Sequence, residues 1–280
     1  MQTALSGLHA ATASLQVAAN NFANQQTPGF KASRILLADQ GPATLAYSAA
    51  GAAQLIQVGR GVSVAGIDVN FAPGATQPGD DPTALLSLQG EGLFILEGER
   101  GERLYTRDGH FRLNANGELV TSQGRRVLGY AADPRGEIDT SELVELRIVI
   151  GSQAPAEGGQ SAELQNYSID PRGRIVGRYS DGSRRPLGQL RLARFPNPSG
   201  LTQRGGNAYA ATPASGLPIE SNPGEGGAAT VLNGTTELSN VDLGRELIEL
   251  TLAGTQFRAN LTVFRTADAL LGELFFPWRR

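Results

Sequence analysis

The sequence predicts an α+β fold in which both chain ends form one discontinuous helical coiled-coil domain and the middle forms a mainly antiparallel β-domain of hairpins. Near both ends, apolar residues recur at alternating steps of three and four, which keeps one side of a helix facing a partner. Between the ends the period changes to two, and turn dipeptides separate short segments. We therefore expect a terminal helical assembly domain (residues 1–30 and 240–280), an extended connector (31–70) and a central β-domain (71–239).

The two terminal helices are also marked at their ends. Thr27-Pro28-Gly29 predicts the end of the first helix, because proline and the residue before it resist helical geometry. Ser239-Asn240 is the expected N-cap of the second helix, with Asp242 in its first turn. A helix over 241–276 would be ~50 Å long, more than the first helix can cover, so apolar surface remains for other molecules. The expected assembly interface consists of Leu5, Leu8, Leu15, Phe22, Leu243, Leu247, Leu250, Phe257, Leu261, Phe264 and Leu271.

The central segment contains short strands separated by turn residues. The alternation predicts strands at 104–107, 110–113, 118–121 and 126–128, and the turns between them contain Asp108-Gly109, Asn116-Gly117 and Gln123-Gly124. The stretch 111–120 is echoed by 167–176, with a glycine at the same position of each copy. Two hairpins with one pattern indicate a β-domain of paired hairpins, since two copies are too few for a solenoid.

Composition excludes several functions. The chain has 24 basic and 27 acidic residues, a formal charge of −3, whereas nucleic-acid binders normally carry a basic stripe. It has no cysteine and two histidines, which excludes disulfides and thiolate metal sites and disfavours a histidine-rich metal site, so we expect no cofactor. Apolar stretches end before the ~18 residues of a spanning helix, and the first residues lack the features of a cleaved secretory signal. We expect no direct membrane insertion.

None of the candidate catalytic groups indicates an enzyme. Asp80-Asp81 could be the carboxylate pair of a glycoside hydrolase, but adjacent residues on an extended chain point to opposite sides. His110, with Asp108 two residues before it, would need a nucleophilic serine to complete a triad, and no Gly-x-Ser-x-Gly motif occurs. The sequence therefore predicts a protein that is not an enzyme.

One N-terminal motif points to a known family. The run Asn20-Asn21, Asn24 and Thr27-Pro28-Gly29-Phe30-Lys31 resembles the N-terminal signature of bacterial flagellar axial proteins of the hook and rod family. The segments 89–94 and 105–111, the block 190–209 and the run 237–243 resemble later segments of the same family, in the same order. The matching motif residues are Asn20, Asn21, Asn24, Thr27, Gly29, Phe30, Lys31, Ser239, Asn240, Val241, Asp242, Ala259 and Asn260.

The resemblance implies a structural subunit that polymerises into the helical tube of the flagellar hook and serves motility. The alternative within the family is a distal rod protein of the basal body. Many hook proteins carry an outer domain inserted near the middle, and residues 151–161 are too few for one. A remote alternative is a carbohydrate-binding or hydrolytic β-domain, and another is a helical adaptor that binds one partner.

The resemblance also implies partners and a location. The expected partners are further copies of the chain, neighbouring axial proteins, a cap protein and the type III export apparatus. The expected location is the extracytoplasmic hook and basal body, reached by export without a cleaved signal. The terminal helices would be poorly ordered in the free subunit and would fold on assembly.

Overall fold

A computed structural model describes residues 1–49, 52–79, 85–133, 135–155 and 161–275. The chain forms two compact units. The first comprises Met1–Gln25, Ala32–Asn70 and the chain from Val241 onward, and the second comprises Gln26–Lys31 and Phe71–Asn240. The chain therefore passes between the units at four points. In this division the stretch expected as an extended connector groups with the terminal helices.

The first helix, α1, spans Gln2–Ala23. It ends four residues before Thr27-Pro28-Gly29, where the backbone N–H of Asn24 donates to the carbonyls of Asn20 and Asn21. The Asn24 side chain donates to the Asn20 carbonyl as well, at 2.9 Å. Asparagine favours such local bonds over a continuing helix, so the helix stops before the proline is reached.

The second helix, α2, spans Leu243–Phe275 and begins directly after Asp242. The Asp242 carboxylate accepts hydrogen bonds from the backbone N–H groups of Gly244 (2.9 Å) and Arg245 (3.2 Å). These donors have no partner within the helix, which makes a carboxylate at this position stabilising. The prediction that Ser239-Asn240 caps this helix is wrong, because Asp242 is the residue whose side chain reaches the first turn.

Two antiparallel strand pairs complete the first unit. Their strands are β1 (Ser33–Asp39), β2 (Ala43–Ala49), β3 (Ala52–Val58) and β4 (Val62–Val69). β1 pairs antiparallel with β4, and β2 pairs antiparallel with β3. A hydrogen bond from the N–H of Gln40 to the carbonyl of Gly61 joins the two pairs. β1 and β4 both contact α1.

The second unit is a β-domain. Its strands are β5 (Thr76–Pro78), β6 (Leu86–Gln89), β7 (Leu93–Glu97), β8 (Arg103–Thr106), β9 (Phe111–Leu113), β10 (Leu119–Thr121), β11 (Arg126–Ala131), β12 (Val144–Glu145), β13 (Gln153–Pro155), β14 (Ser161–Ile169), β15 (Arg174–Tyr179), β16 (Arg184–Leu190), β17 (Leu192–Arg194), β18 (Thr202–Gln203), β19 (Ala208–Ala210), β20 (Ile219–Ser221), β21 (Thr230–Asn233) and β22 (Thr235–Glu237). The main sheet runs β13-β14-β15-β16-β11-β7-β8-β19-β18, and its pairs are antiparallel. Two further pairs, β21 with β6 and β22 with β5, bring the C-terminal strands of the unit against its first strands.

The two echoed segments form the same hairpin. In β9–β10 the Asn114 side chain accepts from the N–H of Asn116 and Glu118, and Gly117 takes a φ of 78°. In β14–β15 the Asp170 carboxylate accepts from the second and fourth following residues in the same way, and Gly173 takes a φ of 72°. Only glycine adopts this left-handed conformation without strain, which explains its place in both copies.

Asp108-Gly109 does not close a hairpin. β8 pairs with β7 and β19, and β9 pairs with β10. Gly109 instead lies against the backbone carbonyl of Leu86, where an added Cβ would collide. The glycine is therefore required by the close approach of two chain segments.

The second unit has one hydrophobic core among its described residues. It contains apolar side chains from most of the strands, and Phe94 and Phe111 pack edge to face at 5.0 Å between ring centroids. The most deeply buried members include Leu86, Phe94, Leu119, Val127, Leu190 and Leu192. Their period-two spacing explains why the strands were visible in the sequence.

Candidate assembly surfaces and a buried ionic clamp

The terminal helices contact each other in the first unit and run antiparallel. A Cβ added at Gly7 would lie 2.7 Å from Oδ1 of Asn260. At the other end of the contact, Nδ2 of Asn21 donates to Oε1 of Glu246 at 3.1 Å. Moving towards the C-terminus along α1 therefore means moving towards the N-terminus along α2. Since the rise per residue is the same on both helices, α2 continues beyond the first residues of α1 by more than two turns.

Small residues form the side of α1 that is buried in this contact. Ala4, Ala11 and Ala18 are at most 5% exposed, and Gly7 and Ser14 are half-buried between them. We call Ala4, Gly7, Ala11, Ser14, Ala18 and Asn21 the inner stripe. Its steps alternate between three and four, as the steps of the leucines do, but it is offset from them by one residue. Small side chains let two helix backbones approach closely, so the inner stripe determines how the helices pair.

The large apolar residues predicted as the assembly interface lie beside this contact. Five of them are exposed, with Leu5 at 44% and Leu247 at 48%, and we call this set the outer stripe: Leu5, Phe22, Leu243, Leu247 and Leu271. The other six are half-buried: Leu8, Leu15, Leu250, Phe257, Leu261 and Phe264. The two helices therefore pack against each other while several of their large apolar side chains remain exposed to solvent.

A buried polar group lies at one end of the helix pair. Asn21 bonds both backbone groups of Ser33, donating to its carbonyl at 2.7 Å and accepting from its N–H at 2.8 Å. The same Asn21 amide donates to Glu246, which is 8% exposed. Burial raises the pKa of Glu246, with the Asn21 hydrogen bond opposing this effect. Asn21 thus joins α1, the start of β1 and the first turns of α2.

An ionic clamp lies inside the second unit. Glu237 accepts from Nζ of Lys31 at 2.6 Å, from Nε of Arg107 at 2.5 Å and from the N–H of Gly74 at 2.9 Å. The side chains of all three charged residues are at most 3% exposed. Burial lowers the pKa of Lys31, the only lysine of the chain, and the negative charge of Glu237 opposes this effect. We call Lys31, Arg107 and Glu237 the clamp.

The cations of the clamp also donate to backbone carbonyls of the second unit. The Arg107 guanidinium donates to the carbonyls of Leu88, Gly90 and Gly92 as well as to Glu237. Nζ of Lys31 also donates to the carbonyl of Ala72 at 2.8 Å. Buried charges are tolerated where they are paired and hydrogen-bonded, as they are here.

The clamp gathers the segments at which the chain enters and leaves the second unit. The N–H of Gly29 donates to the Glu237 carbonyl at 2.8 Å, and the N–H of Asn240 donates to the Phe30 carbonyl at 3.4 Å. The Asn240 side chain donates to the Ala72 carbonyl at 2.9 Å. Three segments that are far apart in sequence, 29–31, 72–74 and 237–240, are therefore bonded to one another. An added Cβ at Gly29, whose φ is 65°, would meet the Asp108 backbone.

Most residues of the family motif lie either in the helix pair or around the clamp. Asn21, Asp242 and Asn260 belong to the helix pair, and Asn20 and Asn24 form the end of α1. Gly29, Phe30, Lys31 and Asn240 belong to the clamp and its surroundings. Thr27 accepts from the N–H of Phe30 at 3.2 Å. In sequence, Ser239 and Val241 come after Glu237 and before α2, and Ala259 is exposed on α2 next to Asn260.

Within the described part of the chain, the His110 ring is bonded to Asp108 and Thr236 and to no serine. Nδ1 of His110 lies 2.9 Å from Asp108, and its Nε2 lies 3.3 Å from the Thr236 hydroxyl. These bonds link the segment before β9 to β22. The Asp80-Asp81 pair lies outside the described residues.

Among the residues that the structure describes, no cluster of three or more histidines and carboxylates could hold a metal ion. No helix within the described ranges is long and apolar enough to cross a membrane.

The sequence predicted no ionic role for Glu237 or Arg107, although both lie in segments that resemble the family, and it did not indicate the inner stripe. Glu237 pairs with a residue 206 positions away, and a distance of that size leaves no periodic signal. The available signal was the presence of a single lysine inside the motif. The inner stripe was hidden because its alanines are less apolar than the leucines one position away.

Family models match two parts of the chain. Residues 1–31 match the model described as flagella basal body rod protein, and residues 87–177 match the D1 domain of flagellar hook protein FlgE/F/G. The first match covers α1 and ends at Lys31 of the clamp. The second covers the chain from β6 to β15.

Individual proteins match over nearly the whole chain. The flagellar basal-body rod protein FlgG of Bacillus subtilis (strain 168) is 31% identical over 280 residues, which covers 98% of this chain and 97% of that protein. The flagellar hook protein FlgE of Escherichia coli (strain K12) is 25% identical over 409 aligned positions, covering 97% of this chain and 98% of that protein. A solved hook protein, FlgE2 of Helicobacter pylori, matches 64% of this chain and 45% of its own with 14% identity and a TM-score of 0.23, too low to support an argument. The extent of the match to the rod protein, together with the two family models, shows that the chain belongs to the family of bacterial flagellar hook and basal-body rod proteins and is a structural subunit of the flagellar axis.

Proposed function

We propose that the chain is a subunit of the basal-body rod rather than of the hook. The observation that supports this is length. The chain matches a rod protein end to end, whereas its alignment with a hook protein needs 409 positions for a chain of 280 residues, so at least 129 positions have no residue of this chain opposite them. From the resemblance alone we expected a hook subunit, with a distal rod subunit as the alternative. The length of the relatives favours the reverse order.

Polymerisation is proposed to proceed through the terminal helices. The inner stripe holds α1 and α2 together as a coiled-coil pair, and the outer stripe contacts neighbouring copies. A contact that repeats head to tail without closing produces an open helical array, which is the geometry of a tube. The exposure of Leu5 and Leu247 supports this, since large apolar side chains that are half-exposed along a helix lose water contact when a copy packs on them.

The subunit is proposed to leave the cytoplasm unfolded through the type III export apparatus, without a cleaved signal, and to meet neighbouring axial proteins and a cap protein at its destination outside the cytoplasm. The fold supports delivery as an unfolded chain. Lys31 is bonded to Glu237, and Asn21 to Glu246, so neither unit is complete until residues near both ends are available.

The deciding experiment is electron microscopy of basal bodies from a strain that lacks this gene alone. A truncated rod with nothing beyond it is the expected result. A finished rod without a hook would make the chain a hook subunit and overturn the proposal. Normal flagella would contradict the assembly role itself.

A variant pair tests the outer stripe in the same strain. Leu247→Asp should fold as a monomer, because the side chain is about half exposed, and should fail to restore the rod. Leu247→Met, which keeps the apolar volume, should restore it. Restoration by Leu247→Asp would show that this residue does not contact a neighbouring copy.

A further inference from the structure

Two arginines stand directly opposite each other on the solvent side of the main sheet. Arg178 on β15 pairs with Arg184 on β16, and both residues are exposed. Residues paired in this way have their Cβ atoms about 5 Å apart, and like charges in this arrangement are destabilising. Because both side chains are exposed, the core of the unit does not require either of them. We call Arg178 and Arg184 the arginine pair.

Other arginines on the same two strands have an acidic partner. Arg174 on β15 lies 4.0 Å from Asp170, and Arg185 on β16 lies 3.6 Å from Asp181. Within the described ranges, by contrast, neither guanidinium of the arginine pair has a carboxylate or another acceptor. Two adjacent cations without an acceptor break a local rule that nothing inside the chain compensates. Positions of this kind are expected to be functional.

The arginine pair lines a groove of about 200 Å³ on this side of the sheet. Asn166 on β14 lies opposite Arg178, and Ser168, two residues later, also lines the groove. Side chains two residues apart on a strand lie on the same side of the sheet. The groove therefore receives polar side chains from three neighbouring strands.

The polar side chains of the groove offer hydrogen-bond donors. Oδ1 of Asn166 accepts from the N–H of Tyr167 at 2.7 Å, so the amide NH₂ is the part of this side chain left for a ligand. Neither this NH₂ nor the Ser168 hydroxyl is bonded to another residue that the structure describes. Each guanidinium of the arginine pair carries five N–H donors and no acceptor. The groove thus combines two positive charges with further donors, and none of its described lining residues is acidic.

The charge of the groove selects the class of ligand. A single carboxylate is matched by one guanidinium, which leaves the second arginine without a counter-charge. A phosphate monoester carries a charge of about −1.5 to −2 at pH 7 and three strong acceptor oxygens. It can therefore neutralise both arginines and accept from the amide and the hydroxyl as well. The planar fork of arginine also fits the geometry of phosphate oxygens.

We propose that the groove is a binding site for a phosphate monoester group. The bound dianion replaces the repulsion within the arginine pair by two attractive contacts, so binding removes an unfavourable interaction as well as forming favourable ones. Val176, half-buried in the lining, offers an apolar contact to the organic part of the ester. The site lies in the second unit and rests neither on the terminal helices nor on the proposed rod function.

Melting of the purified full chain in inorganic phosphate tests the site. A ligand that binds the folded state raises the melting temperature, so phosphate added at constant ionic strength should stabilise the second unit. Titration calorimetry gives the affinity. Arg178→Gln and Arg184→Gln should each weaken phosphate binding by about tenfold, because each removes charge-assisted hydrogen bonds. Without phosphate, both variants should melt no lower than the wild type, because the repulsion is gone.

The matched control is Arg172→Gln. Arg172 is exposed in the turn before β15 and does not line the groove, so this change removes the same charge at another place in the unit. The control should bind phosphate as the wild type does. Equal weakening in the control would show a response to net charge alone and would overturn the proposal. Phosphate binding that survives in the double variant Arg178→Gln/Arg184→Gln would mean an adventitious ion only, and it would overturn the proposal as well, as would a wild type that does not respond to phosphate.

Two further probes identify what carries the phosphate. Phosphatidylcholine vesicles that contain phosphatidic acid present the monoester at a lipid surface. Binding to them that Arg178→Gln abolishes assigns the groove to a lipid headgroup, and binding of inorganic phosphate without binding of vesicles assigns it to a soluble ester. A hexapeptide of glutamate tests the other class of partner. If it binds more tightly than phosphate at the same ionic strength, the groove docks an acidic protein segment and the proposal is overturned.

The outcome is independent of the proposed function. None of these measurements needs an assembled flagellum, so a negative result refutes the phosphate site alone. Normal flagella in the deletion strain would refute the assembly role and leave the phosphate site as it is.

Discussion

Replacement of Glu237 by glutamine tests whether the clamp holds the second unit together. Glutamine has nearly the same shape, so the change removes the negative charge and leaves the volume in place. Lys31 and Arg107 then remain buried without an opposing charge, and the amide NH₂ of glutamine faces the donor of one of them. We expect a large loss of stability from a change of a few atoms.

The magnitude follows from the burial of the three side chains. Removing one partner of a buried ion pair typically costs about 3–5 kcal/mol, because the remaining charge is left uncompensated. For a unit of this size, each kcal/mol lowers the melting temperature by roughly 2–4 °C. The melting temperature of Glu237→Gln should therefore fall by about 6–20 °C.

The assay can follow the second unit separately. Five of the six tyrosines lie in it, so near-ultraviolet circular dichroism reports its tertiary structure. The control is Glu220→Gln, which removes an ion pair with Arg103 whose side chains are 50% and 21% exposed. Exposed pairs contribute about 1 kcal/mol or less, so this control should melt within about 4 °C of the wild type. If Glu237→Gln melts as the control does, the clamp does not stabilise the unit.

Three further predictions concern the terminal helices. Because burial raises the pKa of Glu246 in the folded chain, the folded state binds the proton more tightly than the unfolded state. The protonated Glu246 side chain therefore adds to the free energy of unfolding below the ordinary glutamate pKa, and this stabilisation is lost as pH rises through the raised value. Helix melting followed across pH 4–8 should show this slope, and Glu246→Gln should reduce it. Ala18→Leu should destabilise the helix pair by about 1–3 kcal/mol through overpacking, whereas Ala19→Leu, at an exposed position, should leave monomer melting unchanged. Leu250→Asp or Phe257→Asp should abolish assembly while the second unit still folds, and wild-type filaments from either variant would contradict this.

The helices and hairpins were predictable because their signals are local. A three-four alternation identifies a helix, and Asn114 or Asp170 followed three residues later by glycine identifies a turn. The side of α1 that is buried was not predictable in the same way. Two stripes with the same period lie one residue apart on this helix. The prediction from hydrophobicity chose the stripe of leucines as the buried side, whereas the structure buries the stripe of alanine and glycine, whose small side chains allow close packing.

The clamp could not be derived from local patterns. A buried lysine looks like any other lysine in a sequence, and its acid partner is separated from it by most of the chain. The family resemblance located Lys31, and the structure supplied the reason for it. The N-cap of α2 was missed by two residues because asparagine, serine and aspartate all favour that position, and the path of the chain decides which one reaches the free N–H groups.

The two stripes of α1 suggest how one short helix can serve both folding and assembly. If the leucines paired the helices within a subunit, few large apolar groups would remain for neighbours. Because alanine and glycine make the internal contact, Leu5 and Phe22 stay available beside it. The cost is a weaker internal pair, since small side chains bury little apolar area. We therefore expect the helix pair to gain stability when neighbouring copies pack on Leu5 and Phe22, which would couple the order of the terminal helices to the growth of the tube.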